Sequence, residues 1–250
     1  MDFTGKTAVI TGAGQGVGKG IAMALSAHKA NVALVGRTLS KVQEVADQII
    51  QKGGSATAIE CDVKNKSDIE KAILQTIEKF SSIDFLVNNA QEVPLGNLLH
   101  VDDEAFENGW KSGPLATFRF MKLCHPYLKG GGKIINLASS SALRADSEGY
   151  GAYASVKEAI RAISRTAAVE WGQDNILVNC IMPLAKSTGM EWWMNERPEE
   201  ASAFVQTIPL GRVGDCKDDI GEAVCHLFSD GMSYITGSTI MLDGGQAFLR

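Results

Sequence analysis

The sequence predicts an α/β fold in which a doubly wound parallel sheet of about seven strands carries helices on both faces. Two observations support this class. Short apolar runs, each of a length suited to a buried strand, alternate with longer segments of helical pattern along almost all of the 250 residues. No internal repeat, low-complexity segment or proline-rich linker interrupts this order. We therefore expect a single domain that spans residues 1–250.

The elements follow one another in a regular order. The predicted strands are residues 7–10, 32–35, 56–59, 84–87, 133–137, 176–181 and 239–242. The predicted helices are residues 21–27, 39–50, 67–80, 116–128, 153–169 and 220–228. Ser67 and Glu70 match a capping box, which predicts the start of the third helix. The glycine pair at 53 and 54 is typical of the end of the second helix.

The longest stretch without a predicted strand follows Pro183. It carries Met190, Trp192, Trp193 and Met194 among charged residues. An insertion of this size after a strand is often a lid over a site, so we expect a lid at about 184–213. The alternative is a pair of helices packed at the periphery.

Composition excludes several classes of protein. The net charge of −5 and the absence of a basic run argue against a nucleic acid or an anionic membrane as partner. No apolar stretch is long enough to cross a bilayer. The five cysteines form no C-x-x-C pair and the four histidines are scattered, so no metal site is predicted. The N-terminus runs directly into a strand pattern, without a signal peptide. We expect a cytoplasmic protein.

An acid–base group is predicted around the fifth strand. Serines 139, 140 and 141 follow this strand, and Tyr153 and Lys157 lie on the helix after it. The tyrosine and the lysine are one helical turn apart and share a face. A hydroxyl cluster facing a phenol and an ammonium can perform acid–base chemistry on an alcohol or a carbonyl.

A glycine-rich turn follows the first strand. Ligands of open parallel sheets bind beyond the carboxyl ends of strands, where Gly12, Gly14, Gly16 and Gly18 are placed. Glycines there allow the backbone to approach a pyrophosphate, which the N-terminus of the next helix attracts. The spacing is Gly-x-x-x-Gly-x-Gly and differs from the common G-x-G-x-x-G.

Together with Thr11, this spacing resembles the cofactor turn of the short-chain dehydrogenase/reductase family. The resemblance is to the classical type and covers the whole chain. Further segments resemble the family's motifs in the same order: Asp62-Val63, Asn88-Asn89-Ala90, Ser139, Tyr153-x-x-x-Lys157, Asn179 to Pro183, Tyr234 to Gly237 and Asp243-Gly244-Gly245.

The resemblance implies a Rossmann-like domain that transfers hydride between a nicotinamide cofactor and a carbonyl or secondary alcohol. Its cofactor-binding part is about 1–130, and its catalytic and substrate part is about 131–250. The implied cofactor-binding residues are Gly12, Gln15, Gly16, Val17, Gly18, Arg37, Asp62, Val63, Asn89, Ala90, Tyr153, Lys157, Pro183 and Thr188.

The implied catalytic residues are Ser139, Tyr153 and Lys157. Tyr153 is the general acid in reduction and the base in oxidation. Lys157, together with the positive charge of the oxidised nicotinamide, lowers the pKa of the Tyr153 phenol. Ser139 donates a hydrogen bond to the carbonyl oxygen, with Ser140 as the alternative.

The end of the second strand predicts the cofactor. An acidic residue there would bind a ribose 2′-hydroxyl, but this chain has Gly36 and Arg37. A guanidinium favours a 2′-phosphate, so we expect NADP(H) to be preferred, with NAD(H) possible. Gln15 argues against NADP(H), because NADP-preferring relatives often have a basic residue at its position.

Three departures from the family's pattern lie at the reactive end. Gln91 replaces a glycine, Leu184 replaces the glycine after Pro183, and Gly113 stands where relatives usually carry an asparagine that holds a relay water. Pro114 follows and predicts a kink in the helix. These changes indicate an altered substrate pocket.

Two classes of function follow. The first is an NADP-dependent ketoreductase or alcohol dehydrogenase, and the tryptophans and methionines of the expected lid favour a bulky apolar substrate, steroid-like or cyclic. The alternative is a catalytically weak or inactive dinucleotide-binding sensor or scaffold. Relatives are mostly dimers or tetramers, paired through the helices on either side of the fifth strand and the C-terminal segment. A homo-oligomer is therefore expected, and Ala154, Ala162 and Ala168 are available for close approach.

Overall fold

A computed structural model describes residues 1–143, 145 and 149–247. Seven strands form one parallel sheet in the order β3-β2-β1-β4-β5-β6-β7. Their bounds are β1 Thr7–Thr11, β2 Asn31–Gly36, β3 Ser55–Glu60, β4 Phe85–Asn88, β5 Lys133–Leu137, β6 Leu177–Pro183 and β7 Thr239–Leu242. This confirms the predicted doubly wound, Rossmann-like α/β class.

Helices cover both faces of the sheet. Their bounds are α1 Gly16–Ala27, α2 Leu39–Gln51, α3 Lys66–Phe80, α4 Asp103–Trp110, α5 Ala116–Leu128, α6 Gly151–Trp171, α7 Thr188–Glu196, α8 Pro198–Gln206 and α9 Glu222–Phe228. Helices α1, α2 and α9 pack on one face, and α3, α5 and α6 pack on the other.

The strands are buried on both sides, which explains their continuous apolar runs. Along β1, Ala8 and Ile10 join the core under α1 and α2, whereas Val9 joins the core under α3 and α5. All three side chains are buried. Since successive residues of a strand point to opposite faces, a sheet covered on both sides requires apolar residues throughout.

Several local predictions need correction. The cap of α3 is Asn65, whose Oδ1 accepts from the Ser67 N–H at 3.0 Å, so Ser67 lies inside the helix. Helix α4 was not predicted, although Asp102 caps it by accepting from the Ala105 N–H at 2.7 Å. Helix α6 begins at Gly151, before the predicted start at Tyr153.

At residues 113 and 114, where a kink is expected, the backbone forms a π-helical turn, Lys111–Leu115, which joins α4 to α5. Proline removes one backbone donor from a helix, and a turn with wider spacing lets the chain continue through it. A second π-helical turn, Cys216–Gly221, leads into α9.

The order of the strands determines where a ligand can bind. The chain moves outward from β1 to β2 and β3, and then returns to β4 on the other side of β1. The connections therefore diverge between β1 and β4, and this divergence leaves a crevice at the carboxyl ends of the strands. No helix among the described residues is both long and apolar enough to span a membrane.

Candidate active site

A cleft of about 600 Å³ lies at the carboxyl ends of the strands. Its lining includes nearly all of the predicted site residues: Gly12, Gln15, Gly16, Val17, Arg37, Asp62, Val63, Asn89, Ala90, Ser139, Tyr153, Lys157, Pro183 and Thr188. Gly18 is buried beneath the glycine turn, where a Cβ would overlap the Gly12 carbonyl oxygen. The topology thus brings residues far apart in sequence to one cleft.

The glycine turn depends on close backbone contacts. Gly12 adopts a φ of 66°, which favours glycine, and a Cβ there would lie 2.6 Å from Asn89 Nδ2. Asn89 Nδ2 donates to the carbonyl oxygens of Thr11 at 2.8 Å and Gly12 at 3.1 Å. The backbone N–H groups of Asn89 and Ala90 donate to Thr11 Oγ1 at 2.9 and 3.0 Å. Asn89 therefore holds the turn to the end of β4.

The N-terminus of α1 is open toward the cleft. Its N-cap, Gln15, makes no capping hydrogen bond with its side chain, and Gly16 and Val17 line the cleft. The first N–H groups of a helix lack partners within the helix and carry positive partial charge. An anionic group such as a pyrophosphate fits this position.

The other end of the cleft carries two cations close to the end of β2. Arg37 follows this strand, and Lys41 lies in the first turn of α2. Lys41 Nζ donates to Gln15 Oε1 at 3.1 Å. Arg37 Nη1 lies 2.6 Å from Glu92 Oε1, which also accepts from Lys64 Nζ at 3.0 Å. Arg37 is therefore already paired with a carboxylate.

Ser139, Tyr153 and Lys157 meet beside the end of β5. Lys157 Nζ donates to the Leu137 carbonyl oxygen at 2.7 Å and lies 5.6 Å from the centre of the Tyr153 ring. The Ser139 and Tyr153 side chains both border the cleft, and Ser139 is close enough to lower the pKa of the Tyr153 phenol. Ser139 Oγ also accepts from the Ser141 N–H at 3.2 Å. Ser139 borders the cleft, whereas Ser140 opens the adjacent Ser140–Leu143 turn.

Burial controls the titration of this group. Burial raises the pKa of Tyr153, and the nearby Ser139 side chain opposes this shift more weakly. Burial also lowers the pKa of Lys157 to about 8. In the protein alone, the loss of hydration of the phenolate dominates the pKa of Tyr153. That Lys157 and the positive charge of the oxidised nicotinamide together lower this pKa stays a prediction.

The segment after β6 forms the helix pair α7 and α8. Met190 of α7 borders the cleft, but Trp192 is 65% exposed and Trp193 packs edge-on against Phe204 of α8, with ring centres 5.7 Å apart. The expectation that both tryptophans face a substrate is therefore not supported. Leu184 also lines the cleft, as predicted for the position after Pro183.

Some lining residues were missed in the sequence. Thr38, Lys41, Glu92, Ser112 and Ser187 all border the cleft. Lys41 had a signal, since it follows Arg37 by four residues and lies at the start of a predicted helix. Glu92 and Ser112 had no such signal, because the loop after β4 brings Glu92 to the site and the turn after α4 brings Ser112.

One cluster of potential metal ligands lies elsewhere. His28, Glu222 and Cys225 have ligand atoms within 4.8 Å of one another. His28 Nε2 is 2.8 Å from Glu222 Oε2, and His28 Nδ1 is 3.1 Å from the Met1 carbonyl oxygen. Burial raises the pKa of Cys225 to about 12, so the thiol stays neutral. The hydrogen bonds account for the histidine, and a neutral thiol is a poor metal ligand.

Comparisons with known proteins agree with this geometry. A family model described as enoyl-(acyl carrier protein) reductase matches residues 12–247. The chain is 37% identical to a 12α-hydroxysteroid dehydrogenase from Clostridium sp., over 97% of each chain. It is 35% identical to dehydrogenase/reductase SDR family member 4 from Caenorhabditis elegans, over 97% of this chain and 95% of the relative.

A solved structure gives a similar result. The chain superposes with a TM-score of 0.93 on a 7α-hydroxysteroid dehydrogenase complexed with NADH and 7-oxo glycochenodeoxycholic acid. The two are 29% identical, and the match covers 98% of this chain and 96% of that one.

Proposed function

The chain belongs to the short-chain dehydrogenase/reductase family and is an oxidoreductase, and we propose that it interconverts a bulky apolar ketone and its secondary alcohol with NADP(H). One observation carries the proposal: Ser139, Tyr153 and Lys157 meet at the reactive end of a cleft whose other end has a glycine turn and two cations. When bound, the nicotinamide cofactor supplies or accepts the hydride.

Side chains of the protein carry out the proton transfer that accompanies hydride transfer. Tyr153 gives a proton to the carbonyl oxygen in reduction and removes one from the hydroxyl group in oxidation. Because burial raises the pKa of Tyr153, the phenol is protonated at neutral pH, which suits the reducing direction. Ser139 donates a hydrogen bond to the same oxygen as negative charge develops on it. Lys157, anchored at Leu137, places positive charge beneath the phenol.

The preference for NADP(H) follows from charge at the adenosine end. Arg37 offers a planar fork of donors. Lys41 lies four residues later in the sequence, and its only hydrogen-bond partner among the described residues is the neutral Gln15. Strand β2 ends at Gly36 and not at an acidic residue, and the two cations that follow it favour a 2′-phosphate, which would compete with Glu92 for Arg37. The similar 7α-hydroxysteroid dehydrogenase is complexed with NADH. The proposed preference for NADP(H) is therefore argued from Arg37 and Lys41 of this chain and not from that relative.

The substrate class follows from apolar surface near the reactive end. Exposed apolar side chains fill the loop between β4 and α4: Val93, Leu95, Leu98 and Leu99. This loop contacts the backbone just before the helix that carries Tyr153, since the Gly96 N–H donates to the Gly149 carbonyl oxygen at 2.9 Å. Leu184 and Met190 add apolar lining. Two similar proteins are hydroxysteroid dehydrogenases, and a steroid-like ketone fits these surfaces.

The test is a turnover screen with the purified protein. Steroid, cyclic and small aliphatic ketones are offered with NADPH or NADH, and cofactor oxidation is followed by absorbance. We expect turnover of bulky cyclic ketones, with a higher kcat/KM for NADPH. Tight NADPH binding with no turnover across the panel would support the sensor or scaffold instead. Tighter binding of NADH than of NADPH would contradict the cofactor assignment.

Replacing Tyr153 tests the mechanism. Tyr153→Phe removes the hydroxyl group and keeps the ring, so we expect turnover to fall by about a thousandfold, as typical for loss of an acid–base group. The dissociation constant for NADPH should stay within about threefold, because the adenosine end is untouched. Tyr150→Phe, three residues away and outside the cleft lining, is the matched control. Unchanged turnover in Tyr153→Phe would overturn the mechanism.

A further inference from the structure

Gln91 reaches from the cleft into the π-helical turn that holds Gly113 and Pro114. Its Nε2 donates to the carbonyl oxygens of Glu92 at 2.6 Å and Gly109 at 2.9 Å. Its Oε1 is buried and has no hydrogen-bond partner among the described residues. Since the two carbonyls require a donor, they determine which way the amide faces.

The side chain of Gln91 fills the space beside Gly113. A Cβ on residue 113 would overlap Gln91 Oε1 and lie 2.9 Å from its Cδ. Such distances are not tolerated between packed atoms, so the present position of the amide requires glycine at 113. The volume that a side chain at 113 would occupy is supplied by Gln91.

Gln91 also supplies a donor that Pro114 lacks. In a π-helical turn, each backbone N–H bonds the carbonyl five residues earlier, which for residue 114 is Gly109. Proline has no N–H. The Gly109 carbonyl accepts from Gln91 Nε2 instead. The Gln91 carboxamide thus fills the volume left by the absent side chain of Gly113 and supplies the donor that the backbone of Pro114 lacks.

The turn lies against the catalytic helix. The Lys111–Leu115 turn packs on α6, which carries Tyr153 and Lys157. Ser112 of the turn borders the cleft, and its Oγ accepts from the Glu92 N–H at 2.9 Å. A shift of the turn would therefore change the packing around α6.

We propose that Gln91 is a positioning residue: its carboxamide holds the Lys111–Leu115 turn against the helix of Tyr153 and Lys157, and it can do so because residue 113 is glycine. The inference rests on the proposed function for its effect on turnover. Its effect on the surroundings of Lys157 does not depend on turnover.

A double-mutant cycle tests the coupling. Gln91→Gly removes the amide, and Gly113→Asn places a side chain in the same volume. We expect each single change to lower kcat by about tenfold or more, and the double variant to recover to within about threefold of wild type. Dissociation constants for NADPH should change by less than about twofold in all variants. Gly113→Ala is the milder variant if Gly113→Asn does not fold.

A second arm tests the donor. Pro114→Ala restores a backbone N–H that can bond the Gly109 carbonyl, so Gln91→Ala should reduce kcat less in the Pro114→Ala background than alone. Equal reductions in both backgrounds would contradict this part of the inference.

The titration of Lys157, followed by NMR of ¹³Cε-labelled lysine, separates positioning from mere stability. Displacing the turn admits water near α6, so the pKa of Lys157 should rise in each single variant and return in Gln91→Gly/Gly113→Asn. Lys157→Met assigns the signal. If wild type reduces no ketone, the proposed function fails while this readout still decides the inference. Additive changes in the cycle, or a lower melting temperature with an unmoved Lys157 titration, would overturn it.

Discussion

The pKa values of Tyr153 and Lys157 are determined by burial more than by neighbouring charges. Lys157 is 4% exposed and hydrogen-bonded to a carbonyl oxygen, and Tyr153 lies beside it. In such surroundings the neutral forms of an amine and a phenol are both favoured. The pKa of Lys157 is therefore lowered and that of Tyr153 is raised.

The lowered pKa of Lys157 makes stability depend on pH. Between about 8 and the ordinary value of 10.5 the unfolded chain holds a proton that the folded protein has lost. Stability from this group therefore increases as pH rises through that window, and it is constant below it. We expect wild type to gain stability relative to Lys157→Met between pH 8 and 10, measured by urea unfolding. A difference independent of pH would contradict the lowered pKa.

Glu92 limits the affinity of the adenosine end for a 2′-phosphate. It pairs with Arg37 and Lys64, and an exposed pair of this kind is worth about 0.2–1 kcal/mol. Glu92→Gln frees both cations, so we expect up to about fivefold tighter NADPH binding with little change for NADH. Fluorescence titration measures both constants. Glu78→Gln, an exposed charge change on α3, is the control, and an equal gain for NADH would argue against the assignment.

At the scale of elements, a chain of buried polar side chains ties the middle of the sheet to α6. Asn88 Nδ2 donates to Asn136 Oδ1 at 2.7 Å, and Asn136 Nδ2 donates to Ser164 Oγ at 2.7 Å. Ser164 Oγ donates to the Ile160 carbonyl oxygen at 2.7 Å. These hydrogen bonds connect β4 through β5 to α6, the helix that carries Tyr153 and Lys157, and they fix the position of this helix on the sheet.

Asn136→Ala breaks this chain at its centre. It leaves the amide of Asn88 without an acceptor and opens a cavity, so we expect a loss of roughly 2–4 kcal/mol. This corresponds to a melting temperature lower by about 5–15 °C for a domain of this size. Ser164→Ala removes one end only and should cost less. Thermal unfolding at fixed protein concentration measures both, and a smaller loss for Asn136→Ala than for Ser164→Ala would refute this account.

For the whole molecule, exposed apolar side chains on the helices flanking β5 favour self-association. Phe118 on α5 is 46% exposed and Val169 on α6 is 84% exposed. Ala162 is exposed as expected, but Ala168 is buried in the core and cannot serve an interface. Residues 248–250 of the C-terminal segment lie outside the described residues. The homo-oligomer stays a prediction.

Phe118→Glu tests that prediction. A carboxylate in the middle of a helix–helix interface is costly to bury, so we expect a smaller species in light scattering at equal concentration. Leu74→Glu on α3, where the leucine is 61% exposed, is the matched control and should leave the size unchanged. An unaltered size in both variants would place any interface elsewhere. The cytoplasmic location and the lid at 184–213 also stay predictions.

The sequence by itself determined the class of fold, the seven strands and many of the residues that line the cleft. Apolar runs reveal strands because a sheet covered on both faces needs apolar side chains throughout. The glycine turn and the Tyr153–Lys157 pair can be recognised in the sequence because each depends on residues only a few positions apart, whose relative placement is set by the local backbone.

Only the tertiary structure decided what depends on contacts between distant segments. It pairs Arg37 with Glu92, places Trp193 against Phe204, and lets Gln91 fill the space beside Gly113. It also raises the pKa of Tyr153 in the protein alone, because burial depends on everything packed around the ring. A sequence lists these residues far apart, and packing of a compact chain decides which of them share the same volume.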